Sequence, residues 1–205
     1  MRAPANATIV ASMGRAGSGM VYRAILAARN ETFQPKQKTK FLRSLAHRPN
    51  WDHAVLKSHD YPQNIPLPEE CRALFCFGDV VDTISSLVRM IPEKDGQFFQ
   101  NHHHNMYGIG DRFDVASQDV FRIEDQLREW TGTKSIETLC VRYDALWSNV
   151  GEISDFLGYK IKLPQRVPRI ATNIEPEILA EIKQTYAPMN EFQKSLPDIF
   201  VSGEF

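Results

Sequence analysis

Three glycines and an arginine in Gly14-Arg15-Ala16-Gly17-Ser18-Gly19 link an apolar run, Thr8–Ser12, to an amphipathic stretch that begins near Gly17. Glycine lets backbone N–H groups approach an anion closely, and a helix N-terminus adds its partial positive charge. This is the build of a phosphate cradle. The spacing Gly14-x4-Gly19 matches the first six places of a Walker A loop. Met20 and Val21 then stand where that loop carries Lys and Ser/Thr. A P-loop NTPase needs the Lys on its β/γ-phosphates and the hydroxyl on Mg²⁺. The loop therefore suits a phosphorylated ligand and is unsuited to metal-assisted NTP hydrolysis. Arg15 is either the cation that neutralises that ligand or an ordinary surface arginine.

A second constellation is Lys57-Ser58-His59. Lys57 and His59 are two residues apart, so on a strand both side chains leave one face. The end of a strand in an α/β sheet is where ligands bind. There His59 is either a structural strand-end residue or a general base. A neighbouring cation is expected to lower the His59 pKa and keep it basic. His102-His103-His104 invites a metal reading, but zinc takes ligands at wider helical spacings. A loop lining an acceptor pocket, or solvated loop histidines, is expected there, and no metal site. Asp82 and Asp144 read as structural, the first early in a helix and the second as an N-cap.

The elements that must position these residues alternate. Strands are expected at Thr8–Ser12, His53–Ser58, Arg72–Phe77 and Glu137–Arg142. Helices are expected from about Gly17 to Ala28, over Asp79–Met90, Asp119–Thr131 and Ala145–Leu157, and over Glu175–Met189 with Pro176 in its first turn. Gly158 stops the fourth helix. Asn30–Lys40, Pro62–Pro68 and Gly96–Asp114 read as irregular, and Pro164–Asn173 as a basic extended segment. Such alternation predicts an α/β fold: a three-layer sandwich with a central, mostly parallel sheet of the P-loop nucleotide-binding type, in a single domain over 1–205.

Composition narrows the partners. The chain has 205 residues, is 42% hydrophobic and 24% charged, and carries a net charge of −1. Ten Lys/Arg face three Asp/Glu in residues 1–60, whereas fourteen face twenty-two in the remainder. The basic part holds the glycine loop, which favours a small anionic ligand there. No basic run with interleaved aromatics points to nucleic acid. No apolar run approaches the ~20 residues of a bilayer span, and no signal-peptide pattern precedes Thr8. Cys71, Cys76 and Cys140 lie in apolar runs and read as reduced core thiols of a cytoplasmic protein.

Four blocks in order resemble one family, the sulfotransferases that use 3′-phosphoadenosine 5′-phosphosulfate. Gly14 to Met20 resembles their phosphosulfate loop, P-[KR]-S-G-T-[ST]-W. Leu56-Lys57-Ser58-His59 resembles the K-T-H strand end. Leu74 to Ser86 resembles the R-N-P-x-D-x-x-x-S segment. Val141-Arg142-Tyr143-Asp144-Ala145-Leu146, leading to Asp155-Phe156-Leu157-Gly158, resembles L-R-Y-E-D-L … F-L-G. Together they span residues 8–158. The chain departs from the pattern at Gly78, where the family has the Arg that grips the 3′-phosphate, and at Met20, where it has Trp. The C-terminal R-K-G motif has no clean copy.

The resemblance implies transfer of a sulfuryl group to an acceptor hydroxyl or amine, with His59 as base, Lys57 and Arg15 stabilising charge, and no metal. Gly14, Arg15, Ala16, Gly17, Ser18, Gly19 and Met20 would form the donor cradle, with a hydroxyl offered by Ser18. Ser86 is retained, and Arg89, Arg166 or Arg169 would supply the guanidinium missing at Gly78. The acceptor would be a small molecule, glycan or lipid. A nucleotide-binding module without chemistry, or a small-molecule kinase, are the alternative classes. The kinase needs a Lys and a Mg²⁺ ligand that this loop lacks.

Overall fold

Central strands of a parallel sheet are covered on both faces and so read as unbroken apolar runs. That is how β1 (Thr8–Ser12), β3 (Arg72–Phe77) and β4 (Glu137–Arg142) are built: β1 is buried along its whole length, β3 except at Arg72, and β4 except at its two ends. In the computed structural model, which describes residues 7–30, 55–66, 71–93, 97–167 and 174–204, these strands form the middle of a five-stranded sheet. Its order is β2-β1-β3-β4-β5. β2 (Val55–Ser58) pairs parallel with β1, β1 with β3, and β3 with β4. β5 (Ile199–Val201) closes the other edge antiparallel to β4.

Seven helices among the described residues complete the α/β fold: α1 (Ser18–Ala28), α2 (Val80–Glu93), α3 (Gln97–Asn105), α4 (Ile123–Gly132), α5 (Val150–Leu157), α6 (Pro176–Thr185) and α7 (Ala187–Ser195). The chain leaves β1 toward β2 on one side and β3 toward β4 on the other. Right-handed crossovers then place α1 on one face and α2–α4 on the opposite face. Trp130 of α4 is fully buried and stacks on Phe75 of β3 with ring centroids 5.7 Å apart. The strand order reverses between β1 and β3, so a crevice opens at their carboxyl ends, the place where such sheets bind ligands. The glycine loop leaves β1 there, and Gly78 leads from β3 into α2.

Several expectations are corrected. Gly96–Asp114 is not irregular throughout, because α3 occupies its first part and a 3-10 turn, Arg112–Asp114, its end. Residues 143–149 form a 3-10 turn and further turns before α5, so that helix starts later than Ala145. The helix expected over Glu175–Met189 is two helices that meet at Tyr186, because Pro188 brings no N–H to a continuing ladder. The helix expected from Asp119 starts at Ile123, and the Asp119 carboxylate accepts from the N–H groups of Ile123 and Glu124, 2.9 Å each. Gly158 does end α5, in the left-handed conformation with φ 79°.

β5 was not foreseen. Arg142 ties it down: its guanidinium bonds the Asp198 carboxylate at 2.6 Å and the carbonyls of Leu196 at 2.6 Å and Gln193 at 3.1 Å. The three cysteines are free and buried, and burial pushes the Cys71 and Cys76 thiols up to about 12. Among the described residues no helix is long and apolar enough to cross a membrane.

Candidate functional site

The loop between β1 and α1 is a run of left-handed backbone. Gly14 has φ 85°, Arg15 51° and Gly17 83°. Such alternation turns successive N–H groups toward one point and makes an anion-binding concavity. Glycine is also required by space. A Cβ at Gly14 would lie 2.9 Å from His102 Nε2, and one at Gly17 only 2.6 Å from Tyr143 Cδ2. No side chain caps α1 and no acidic residue stands in its first turn, so its positive end faces the concavity.

The Ser12 hydroxyl accepts from the Gly14 N–H at 3.3 Å and lies 2.8 Å from Ser18 Oγ. Ser18 is buried, and its hydroxyl stitches the loop to β1 instead of reaching outward, leaving its N–H for a ligand. Ala16 is likewise in the core and can offer only backbone. Met20 is half-buried against the core.

His59 is rooted in the same residue as the loop. Its Nδ1 lies 2.9 Å from the Ser12 carbonyl oxygen. A carbonyl only accepts, so Nδ1 carries the hydrogen and Nε2 the basic lone pair. The backbone behind it is pinned. Gln126 Nε2 donates to the His59 carbonyl, and Trp130 Nε1 to the Asp60 carbonyl at 2.9 Å. The fully buried Asp60 carboxylate accepts from Ser58 Oγ at 2.6 Å and from the Tyr107 hydroxyl at 2.7 Å. α4 and the turn after α3 thus fix the strand end that carries the imidazole.

His102 sits on α3, buried, with its ring 5.7 Å from that of His59 and 4.9 Å from that of Phe121. Burial pushes its pKa well below the ordinary value, and its electrostatic coupling to His59 and to the cations Lys57 and Arg15 pushes the same way. Three residues from two of the motifs therefore act on one buried ring. His103 packs against Phe99 and Phe121, while His104 is exposed. Adjacent helical residues point about 100° apart, which is why the three rings do not converge. Among the described residues, no group of three His, Cys, Asp or Glu side chains is arranged to hold a metal ion.

Neutral His102 has a consequence for stability. Unfolding releases it to titrate near about 6.5, so the unfolded chain takes a proton that the folded chain refuses. Stability is therefore lost as pH falls below that value, by at most about 1.4 kcal/mol per pH unit for this one group. His102→Leu removes this contribution while still filling the space. Urea unfolding at about pH 5.5 and about pH 7.5 should show a loss on acidification smaller by roughly 1 kcal/mol in the variant. An equal loss in both proteins would contradict a buried neutral His102.

The remaining predicted residues divide. Ser86 of α2 comes to the loop: Arg15 Nε donates to its hydroxyl at 3.1 Å. Arg89 is exposed one turn further along α2. Arg166 pairs with Asp144 at 2.5 Å and lies over the Trp147 ring, 5.5 Å from its centroid. Asp144 is thus an ion-pair partner inside the 3-10 turn Tyr143–Ala145 and not a helix N-cap. Arg169 lies outside the described residues, as does most of the Asn30–Lys40 segment. Asp60 and Tyr143 were not singled out for the site, and His102 only as part of a loop expected to line an acceptor pocket, whereas it is buried on α3. Asp60 directly follows the Lys-Ser-His motif, and Tyr143 lies inside the fourth block.

No protein-family model and no curated protein sequence matches the chain. Among solved structures, the chain is similar to mouse sulfotransferase SULT7A1 complexed with PAP, at 12% identity and a TM-score of 0.48, over 96% of this chain and 69% of that one.

Proposed function

We propose that this chain, as a single domain, is a sulfotransferase that moves a sulfuryl group from 3′-phosphoadenosine 5′-phosphosulfate to an acceptor hydroxyl or amine. The observation that carries the reading is the anchoring of His59 on Ser12. A base with a defined tautomer and an anion cradle grow from the same residue at the switch point of the sheet. The loop offers neither the Lys nor the hydroxyl of a Mg²⁺–NTP site, which weighs against the kinase.

In this reading His59 Nε2 takes the proton of the acceptor as its oxygen or nitrogen bonds to sulfur. The bond from sulfur to the bridging oxygen breaks, and the electron pair stays on the 5′-phosphate. Loop N–H groups between Gly14 and Gly19 hold that phosphate, and Lys57 stabilises the charge on the bridging oxygen. Catalysis is then positioning and preorganised electrostatics. The acceptor is a small molecule, a glycan or a lipid headgroup.

A ligand bound only by the folded state raises the melting temperature. Adenosine 3′,5′-bisphosphate, the spent donor, should stabilise the protein more than ATP with Mg²⁺ in a thermal-shift titration. Stronger stabilisation by ATP with Mg²⁺ would overturn the reading in favour of a kinase. Stabilisation by the bisphosphate without turnover of the donor on any acceptor would leave a binding module.

A further inference from the structure

Resting on that reading, we infer that Arg15 is the guanidinium that grips the 3′-phosphate of the donor, reaching across the crevice to Ser86 and replacing a contact that Gly78 cannot make. Arg15 belongs to the loop after β1, whereas Ser86 belongs to the helix after β3. Their bond therefore spans the switch point where strand order reverses.

Four features support the assignment. Arg15 holds φ 51°, a conformation that side-chain-bearing residues adopt at a cost, and such outliers gather at ligand clamps. The Ser86 hydroxyl directs its own hydrogen at the Met90 thioether, 4.0 Å away. A thioether is a weak acceptor, so an oxyanion beside Arg15 would draw that hydrogen instead. The first turn of α2 is closed to an anion, because Asp79 Oδ1 accepts from the Asp82 N–H at 2.8 Å and Asp82 adds a second carboxylate. Any phosphate on this wall must sit further along, at the second turn, where Ser86 lies. Finally, Arg166 is committed to Asp144 and Trp147. Gly78 is buried and brings no side chain.

The inference separates Arg15 from the rest of the cradle. The loop N–H groups hold the 5′-phosphate, and Arg15 chiefly decides whether a 3′-phosphate is present. The experiment is competition calorimetry of wild type, Arg15→Ala and Ser86→Ala with adenosine 3′,5′-bisphosphate and with adenosine 5′-phosphate. Wild type should prefer the bisphosphate by at least tenfold, the size of one charge-assisted contact. Arg15→Ala should erase most of that preference while changing affinity for the monophosphate by less than about threefold. Ser86→Ala should lower the preference in the same sense. If Arg15→Ala weakens both nucleotides equally, Arg15 serves the 5′ end and the inference fails, although the donor reading stands. If wild type shows no preference at all, the donor reading itself fails.

Discussion

Replacing His59 with glutamine lowers turnover by roughly 10²–10⁴, the range that a general base contributes. Glutamine keeps a hydrogen-bonding group but cannot accept a proton for transfer. Nucleotide affinity should change by less than about threefold, because in the proposed mechanism the base faces the acceptor and not the donor. The pattern to look for is a fall in kcat with binding retained. Wild-type turnover on an authentic acceptor would make His59 structural and leave the base to be found elsewhere.

Gly17→Ala is the second large effect, and its cost has two parts. The backbone part is a left-handed φ of 83°, which an L side chain adopts at about 1–2 kcal/mol. The steric part is the new Cβ, 2.6 Å from Tyr143 Cδ2. That ring cannot swing away freely, since Trp147 packs edge-on against it at 5.4 Å and Trp147 Nε1 donates to the Pro164 carbonyl at 2.8 Å. Together these destabilise the fold by about 2–3 kcal/mol, or roughly 4–12 °C in Tm for a chain of this size. Affinity for adenosine 3′,5′-bisphosphate should fall by at least tenfold, because the N–H groups lose their common aim. Adding Tyr143→Leu restores the steric part and not the backbone part. If the double variant recovers fully, φ at Gly17 is not what shapes the cradle.

What could be read without coordinates follows from burial. β1, β3 and β4 were placed with their observed bounds because each is a short apolar run covered on both faces, a pattern that needs no partner to be seen. The glycine loop was equally legible, since its conformation requires glycine at Gly14 and Gly17, where glycine stands. α3 was not. Its inward stripe runs Phe99, His102, His103 and Met106, at i, i+3, i+4 and i+7, with His102 and Met106 buried and the other two half-buried, but two of the four are histidines. Imidazoles packed as apolar surface carry no hydropathy signal, so the helix read as polar loop. β5 is three residues long and is held by Arg142 from another strand, which no local pattern reports.

The partner of Arg15 was also out of reach of the sequence. The arginines the sequence offered were Arg89, three residues on from Ser86, and Arg166 and Arg169 in the basic segment. The arginine bonded to Ser86 is 71 residues away, and only the pairing of β1 with β3 brings the two elements together. His59 illustrates both sides. Its type and strand-end place were legible, whereas which ring nitrogen keeps its lone pair depends on a bond to a residue 47 positions earlier.

The most direct test of the central claim follows the label from sulfur-labelled 3′-phosphoadenosine 5′-phosphosulfate, incubated with the protein and a pool of phenols, amines, sugars and lipid headgroups. Sulfuryl transfer to His59-activated acceptors predicts label on at least one acceptor, formed with one equivalent of adenosine 3′,5′-bisphosphate, and at least a hundredfold less with His59→Gln. Label that moves equally well in the variant, or a protein that leaves the donor intact with every acceptor class while binding it, would contradict the account.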